Sequence, residues 1–160
     1  MQIPFDQMPK NARVWIYQAD RVLSVEEQET INTTGNQFLA QWAAHGSDLK
    51  SAMKLLHDRF MIIAVDEGIH AASGCSIDSS VSFVKQLGED LKINWFDRTK
   101  VAFIYDDEVF MESINNLKQI ISEGKITQNT LTFNNLVQNV GEFDEKWLLP
   151  ANETWLKRYF

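Results

Sequence analysis

Apolar positions in this chain recur with two different periods, and the switches between them outline its elements. Residues 13–17 (Arg-Val-Trp-Ile-Tyr) are β-branched and aromatic, which predicts a strand after the extended lead-in marked by Pro4 and Pro9. Ser24-Val25-Glu26-Glu27 has capping-box spacing, with Ser24 as N-cap and Glu27 reaching back. Behind it Ile31, Phe38, Leu39 and Trp42 share one helical face, and His45-Gly46 supplies a stop. Gly35 weakens the middle of that helix enough to allow a break. From Ile62 an apolar run ending in Asp66-Glu67 reads as a buried strand. Ile77, Val81, Val84, Leu87 and Leu91 then lie on one face of a helix that Ser76 or Asp78 can cap.

Residues 47–60 admit two readings. Leu49, Met53, Leu56 and Phe60 fit a short helix, and a turn at His57-Asp58 between antiparallel strands fits almost as well. The hairpin is preferred, because the strand that follows needs a neighbour. Residues 101–105 and 108–111 are strand-like around Asp106-Asp107, a tight hairpin. Ser113 caps a helix carrying Ile114, Leu117 and Ile121, Gly124 stops it, and residues 130–133 form a last strand. The tail from Asn134 onward is partly helical and rich in aromatics. This interleaving of helices with hairpins predicts a single α+β domain over residues 1–160. Its sheet is expected to be mixed or largely antiparallel, with three to four helices.

Composition narrows the function classes. At 160 residues with 44% hydrophobic content, the chain can bury a real core. A net charge of −7 argues against a nucleic-acid partner, since Lys157-Arg158 is the one adjacent basic pair. The same balance disfavours anionic lipid, and no stretch approaches the roughly 18–20 apolar residues of a membrane span. The first residues carry no signal-peptide pattern, and a lone cysteine fits a reducing compartment, so a cytoplasmic location is expected.

Cys75 is the first candidate for chemistry, because it lies where strand gives way to helix and helix-start N–H groups favour anions and thiolates. In an acyl- or thiol-transfer enzyme Cys75 is the nucleophile, His70 the candidate base and Asp66 its orienter. Ser73, Gly74 and Ser76 offer a weak anion cradle at the same place. Against this, free cysteine is among the most buried residue types, and Asp78 opposes a thiolate there. Packing is therefore preferred. No second cysteine completes a redox pair, no G-x-x-x-x-G-K-[ST] supports a P-loop ATPase, and neither a metal nor a cofactor is expected. The carboxylates of Asp106-Asp107-Glu108 are read as turn residues. Trp147, Trp155, Tyr159 and Phe160 make the C-terminal end sticky, so it docks back on the domain or forms an interface, a homodimer being one form of it.

Residues 12–20 (Ala-Arg-Val-Trp-Ile-Tyr-Gln-Ala-Asp), 72–78 (Ala-Ser-Gly-Cys-Ser-Ile-Asp) and 133–137 (Phe-Asn-Asn-Leu-Val) together resemble a family of small bacterial proteins often labelled "ABC transporter ATPase". The chain has no Walker A or signature segment and is too short for a nucleotide-binding domain, so the resemblance implies no ATP hydrolysis and assigns no catalytic residue. Residues 117–126 followed by Thr130-Leu131 are similar to the latter part of GYF-like adaptor modules, which bind proline-rich peptides, although the Gly-Tyr-Phe signature is missing. The leading expectation is a noncatalytic binding or interaction protein with an unknown protein or small-molecule partner, its contact the aromatic C-terminal face. The alternative is the Cys75 enzyme.

Overall fold

The computed structural model describes residues 1–68 and 70–160. Strand β1 (Arg13–Gln18), strand β4 (Lys50–Leu56) and strand β5 (Phe60–Asp66) form a first sheet in the order β1-β5-β4, all antiparallel. The 47–60 segment is thus strand and turn, with His57 and Asp58 both left-handed at the corner. Helix α1 (Val25–Gln41) starts from the expected capping box, in which Ser24 and Glu27 satisfy each other's backbone N–H groups. It ends before His45-Gly46, whose left-handed turn instead joins two short strands, β2 (Ala43–Ala44) and β3 (Ser47–Asp48). Gly35 does not break α1. It is buried, and a Cβ there would overlap the Met53 thioether, with Sδ at 2.7 Å, so glycine lets the helix lie close on β4.

Helix α2 (Gly74–Leu91) takes Ser73 as N-cap, upstream of the expected Ser76 or Asp78. Its first turn is anchored when Trp42 Nε1 donates to the Ser76 carbonyl at 2.9 Å. Strands β6 (Lys100–Tyr105), β7 (Glu108–Ser113), β8 (Leu131–Phe133) and β9 (Leu148–Pro150) form a second antiparallel sheet, β7-β6-β8-β9. Helix α3 (Leu117–Ser122) follows β7, and helix α4 (Val140–Lys146) separates β8 from β9. Strand β9 lies inside the segment expected to be partly helical, and Pro150 closes it as an edge residue lacking an N–H. The chain is an α+β protein with four α-helices among the described residues, and every strand–strand pairing described is antiparallel.

Alternation along β5 explains the layering. Met61, Ile63 and Val65 face a core shared with Ile31, Leu39, Val84 and Leu87 of α1 and α2. Phe60, Ile62 and Ala64 face the opposite core, shared with Ala102, Phe133, Phe143 and Trp147 from the second sheet and α4. On the far side of the second sheet, Phe103 packs with Leu117, Ile120, Ile126 and Leu156. The order is therefore helices, sheet, sheet, then α3 with the C-terminal turns. Among the described residues, no helix is long and apolar enough to cross a membrane.

Candidate binding groove between the two sheets

Strand β1 is an edge strand whose free side is covered only at its beginning. Val14 N–H donates to the Gln138 carbonyl and Val140 N–H to the Ala12 carbonyl, so residues 138–140 pair with the first half of β1. Beyond that point no backbone hydrogen bond among those described joins residues 134–137 to β1, and two cavities open along the strand. One, of about 510 Å³, lies between β1 and the second sheet, with Trp155, Phe96 and Leu136 among its walls. The other, of about 640 Å³, follows β1 toward Arg13 and Glu67. Ile16, Tyr17, Asn135 and Leu136 line both, so the two cavities meet in one groove.

A chain of side-chain hydrogen bonds crosses this groove. Trp147 Nε1 donates to Asn135 Oδ1 at 3.0 Å, Asn135 Nδ2 to Gln18 Oε1 at 3.1 Å, and Gln18 Nε2 to the Lys100 carbonyl at 3.4 Å. The chain ties the 134–136 segment to β1 and β6 while leaving the apolar residues beside it open to solvent. Leu136 is 78% exposed and Trp155 47%, and Phe96 meets Tyr17 edge-to-face at 5.8 Å. Burial pushes the Tyr17 phenol above its ordinary value of 10, with the Ser80 hydroxyl acting in the other direction. Large apolar side chains converging at a concave mouth with a few fixed polar groups are the usual makings of a ligand site.

The Cys75 region is built differently. Cys75 is exposed, contrary to the packing expected for it, because the buried stripe of α2 runs through Ser76, Ser80, Val84 and Leu87 and position 75 falls off it. Neither the Cys75 side chain nor that of the exposed His70 takes part in a hydrogen bond or ion pair among those described, and none of the four cavities described is lined by either. Asp66 does not orient a histidine: its Oδ1 accepts from Gly68 N–H, and its Oδ2 stands 3.9 Å from Lys50 Nζ. The anion cradle is also filled from within. Ser73 Oγ accepts the Ser76 N–H, Ser76 Oγ donates to the Ser73 carbonyl, and Glu67 accepts the Ala72 N–H just upstream. Gly74 is exposed at the first helical position. Among the described residues no group of three or more His, Cys, Asp or Glu is placed to hold a metal.

The aromatic tail divides. Trp147 is buried against Phe60, Phe133 and Phe143 and belongs to the core between the sheets, which removes it from any exposed contact face. Leu156 anchors the C-terminal turn in the outer core and Tyr159 packs beside it, whereas Trp155 and Phe160 stay open. Sequence reasoning missed Gln18, Phe96, Arg98, Lys100, Asn135 and Leu136 as groove residues. Two signals for them existed: a spaced basic pair in an acidic chain, and an apolar Leu136 directly after Asn134-Asn135.

Comparison of the chain with protein-family models, with curated proteins and with solved structures finds no match.

Proposed function

We propose that this is a noncatalytic, cytoplasmic binding protein whose site is the groove between β1 and the second sheet. One observation carries the reading: exposed Leu136, Trp155 and Phe96 converge on a single cavity of about 510 Å³ instead of lying scattered. The net charge of −7 favours a partner other than nucleic acid. Cys75 has no role in this reading: among the described residues its side chain takes part in no hydrogen bond.

An NMR titration of the ¹⁵N-labelled chain with small aromatic fragments of mixed charge tests it. Shifts are expected at the amides of residues 16–18, 96–98 and 134–136, and unchanged in Cys75→Ser. Shifts confined to residues 74–78 would overturn the groove and bring forward the cysteine enzyme. A homodimer through the exposed Trp155 and Phe160 is the competing use of this face, and it predicts a sedimenting mass of twice 18.5 kDa that Trp155→Asp returns to 18.5 kDa.

A further inference from the structure

We infer that the groove takes a small organic anion with an aromatic or apolar body. The inference rests on the groove reading and adds the size and charge of the ligand. The whole chain carries −7, yet the cavity of about 510 Å³ is lined by Arg98 and Lys100 with Asp97 as its one carboxylate. Asp97 stays ionised, so the two cations outweigh it by one charge. Its Oδ1 accepts from the Thr99 N–H at 2.9 Å and the Thr99 hydroxyl at 2.6 Å, bonds that hold its carboxyl below the ordinary range. Arg98 has no ion-pair partner among the described residues, whereas Lys100, whose Nζ donates to the Asp20 carbonyl at 3.4 Å, is the cation whose charge acts on Asp97.

An exposed guanidinium without a carboxylate, beside a lysine at the mouth of an apolar cavity, favours an incoming anion, and its planar fork suits a carboxylate in particular. The remaining positive field, centred on Arg98, is focused there because the walls are low-dielectric aromatic and aliphatic groups. Tyr17, Phe96 and Trp155 supply ring surface for the ligand's body. Gln18 and Asn135 hydrogen-bond each other and reach Trp147 and the Lys100 carbonyl, so these two amides are held in place at the cavity wall. The volume falls within the roughly 300–1,000 Å³ of small-molecule sites.

A matched series separates the charge from the shape. 3-Phenylpropanoate, 3-phenylpropanamide and 3-phenylpropylamine share a ring and a spacer and differ in being anionic, neutral and cationic. With the intact chain, the propanoate is expected to bind about tenfold more tightly than the amide, with the amine weakest, by NMR titration or calorimetry. Arg98→Gln and Lys100→Gln are each expected to weaken the propanoate about three- to tenfold, leave the amide unchanged and leave the rest of the amide spectrum in place. Amide binding equal to propanoate binding, or an Arg98→Gln protein with undiminished propanoate affinity, would overturn the inference and leave the groove standing. Binding by none of the three would overturn the inference and the groove reading together.

Discussion

Strands β5 and β7 differ by a single residue in length, yet their surroundings are opposite. β5 is the middle strand of its sheet, and its first six residues are all buried, one side against helices and the other against the second sheet. β7 is the outer strand of the second sheet, paired on one edge only, and none of its residues is buried. The first sheet is therefore an interior element sealed on both faces, while the second becomes progressively more solvated toward its outer strand. Accessible volume is left where the sealed sheet ends, at the free edge of β1 beside the second sheet. A groove there can vary in its walls without disturbing the centre of the fold.

The contrast is sharpest in paired truncations. Ile63→Ala removes a fully buried side chain from the inner core and should cost about 3 kcal/mol in urea unfolding. Val109→Ala, on half-buried β7, should cost less than about 1 kcal/mol by the same measurement. Equal losses would mean that β7 is covered in solution, for example by a second copy pairing with its open edge.

Asn135→Ala tests the junction between the two regions. It cuts the hydrogen-bond chain that links Trp147, Asn135 and Gln18 and leaves the Trp147 N–H without its acceptor. The expected loss is about 1–2 kcal/mol, the usual range for an abandoned buried donor. The groove amides at 16–18 should shift while those of β5 stay in place. A loss near zero would show that water replaces the asparagine and that the groove wall is not held by it.

The helix–hairpin order was legible because each element carries its own local signal. Ser24 and Glu27 show in sequence as a capping box and form one in the structure. Asp106-Asp107 reads as a turn because short acidic residues tolerate left-handed backbone, and both have positive φ. The site was not legible in the same way. Ile16, Arg98 and Asn135 are far apart along the chain and are brought together only by packing one sheet on another. Cys75 drew attention through its surroundings in sequence, but two features that decide its standing are tertiary: which face of α2 is buried, and that Asp66 turns to Lys50 and Gly68. Trp147 and Trp155 are indistinguishable as sequence, and only the β8–β9 pairing sends one inward and leaves the other at the groove.

On the sealed side, the first turn of α1 is fastened to the end of α2. Arg21 binds both carboxylate oxygens of Glu27, at 2.8 and 2.6 Å, and donates to the Leu91 carbonyl at 2.8 Å. The Arg21 guanidinium and then the Ser24 backbone hold the Glu27 carboxyl at about 2, below its ordinary 4.5. A carboxyl depressed by folding adds stability above its unfolded value and loses it as the pH falls through the folded one. Glu27→Gln should therefore cost about 1 kcal/mol at neutral pH, where cap and ion pair are both intact. The gap from the parent protein should narrow between about pH 4.5 and pH 2 and close below that. A gap independent of pH would show that the charge of Glu27 is not what stabilises the fold, since glutamine can keep the capping box.

The smallest expected effect probes the least buried part of the molecule. Asp106 and Asp107 form the two-residue turn between β6 and β7, with φ of 54° and 63°, a geometry in which glycine at the second position is preferred. Relief of the left-handed backbone in Asp107→Gly is partly offset by the greater freedom of glycine in the unfolded chain. A net gain of about 0.5 kcal/mol should appear as a higher urea midpoint at unchanged slope. A loss instead would point to the side chain. Asp107 borders a hollow of about 300 Å³ that it shares with Arg59, a half-buried guanidinium whose charge burial disfavours and which has no ion-pair partner within 4.0 Å among the described residues. In that outcome the Asp107 carboxylate would be stabilising Arg59 through space, and Asp107→Asn should lose as much as Asp107→Gly. The outer strand would then be tied to the first sheet by charge at its open end, in addition to the apolar core between the sheets.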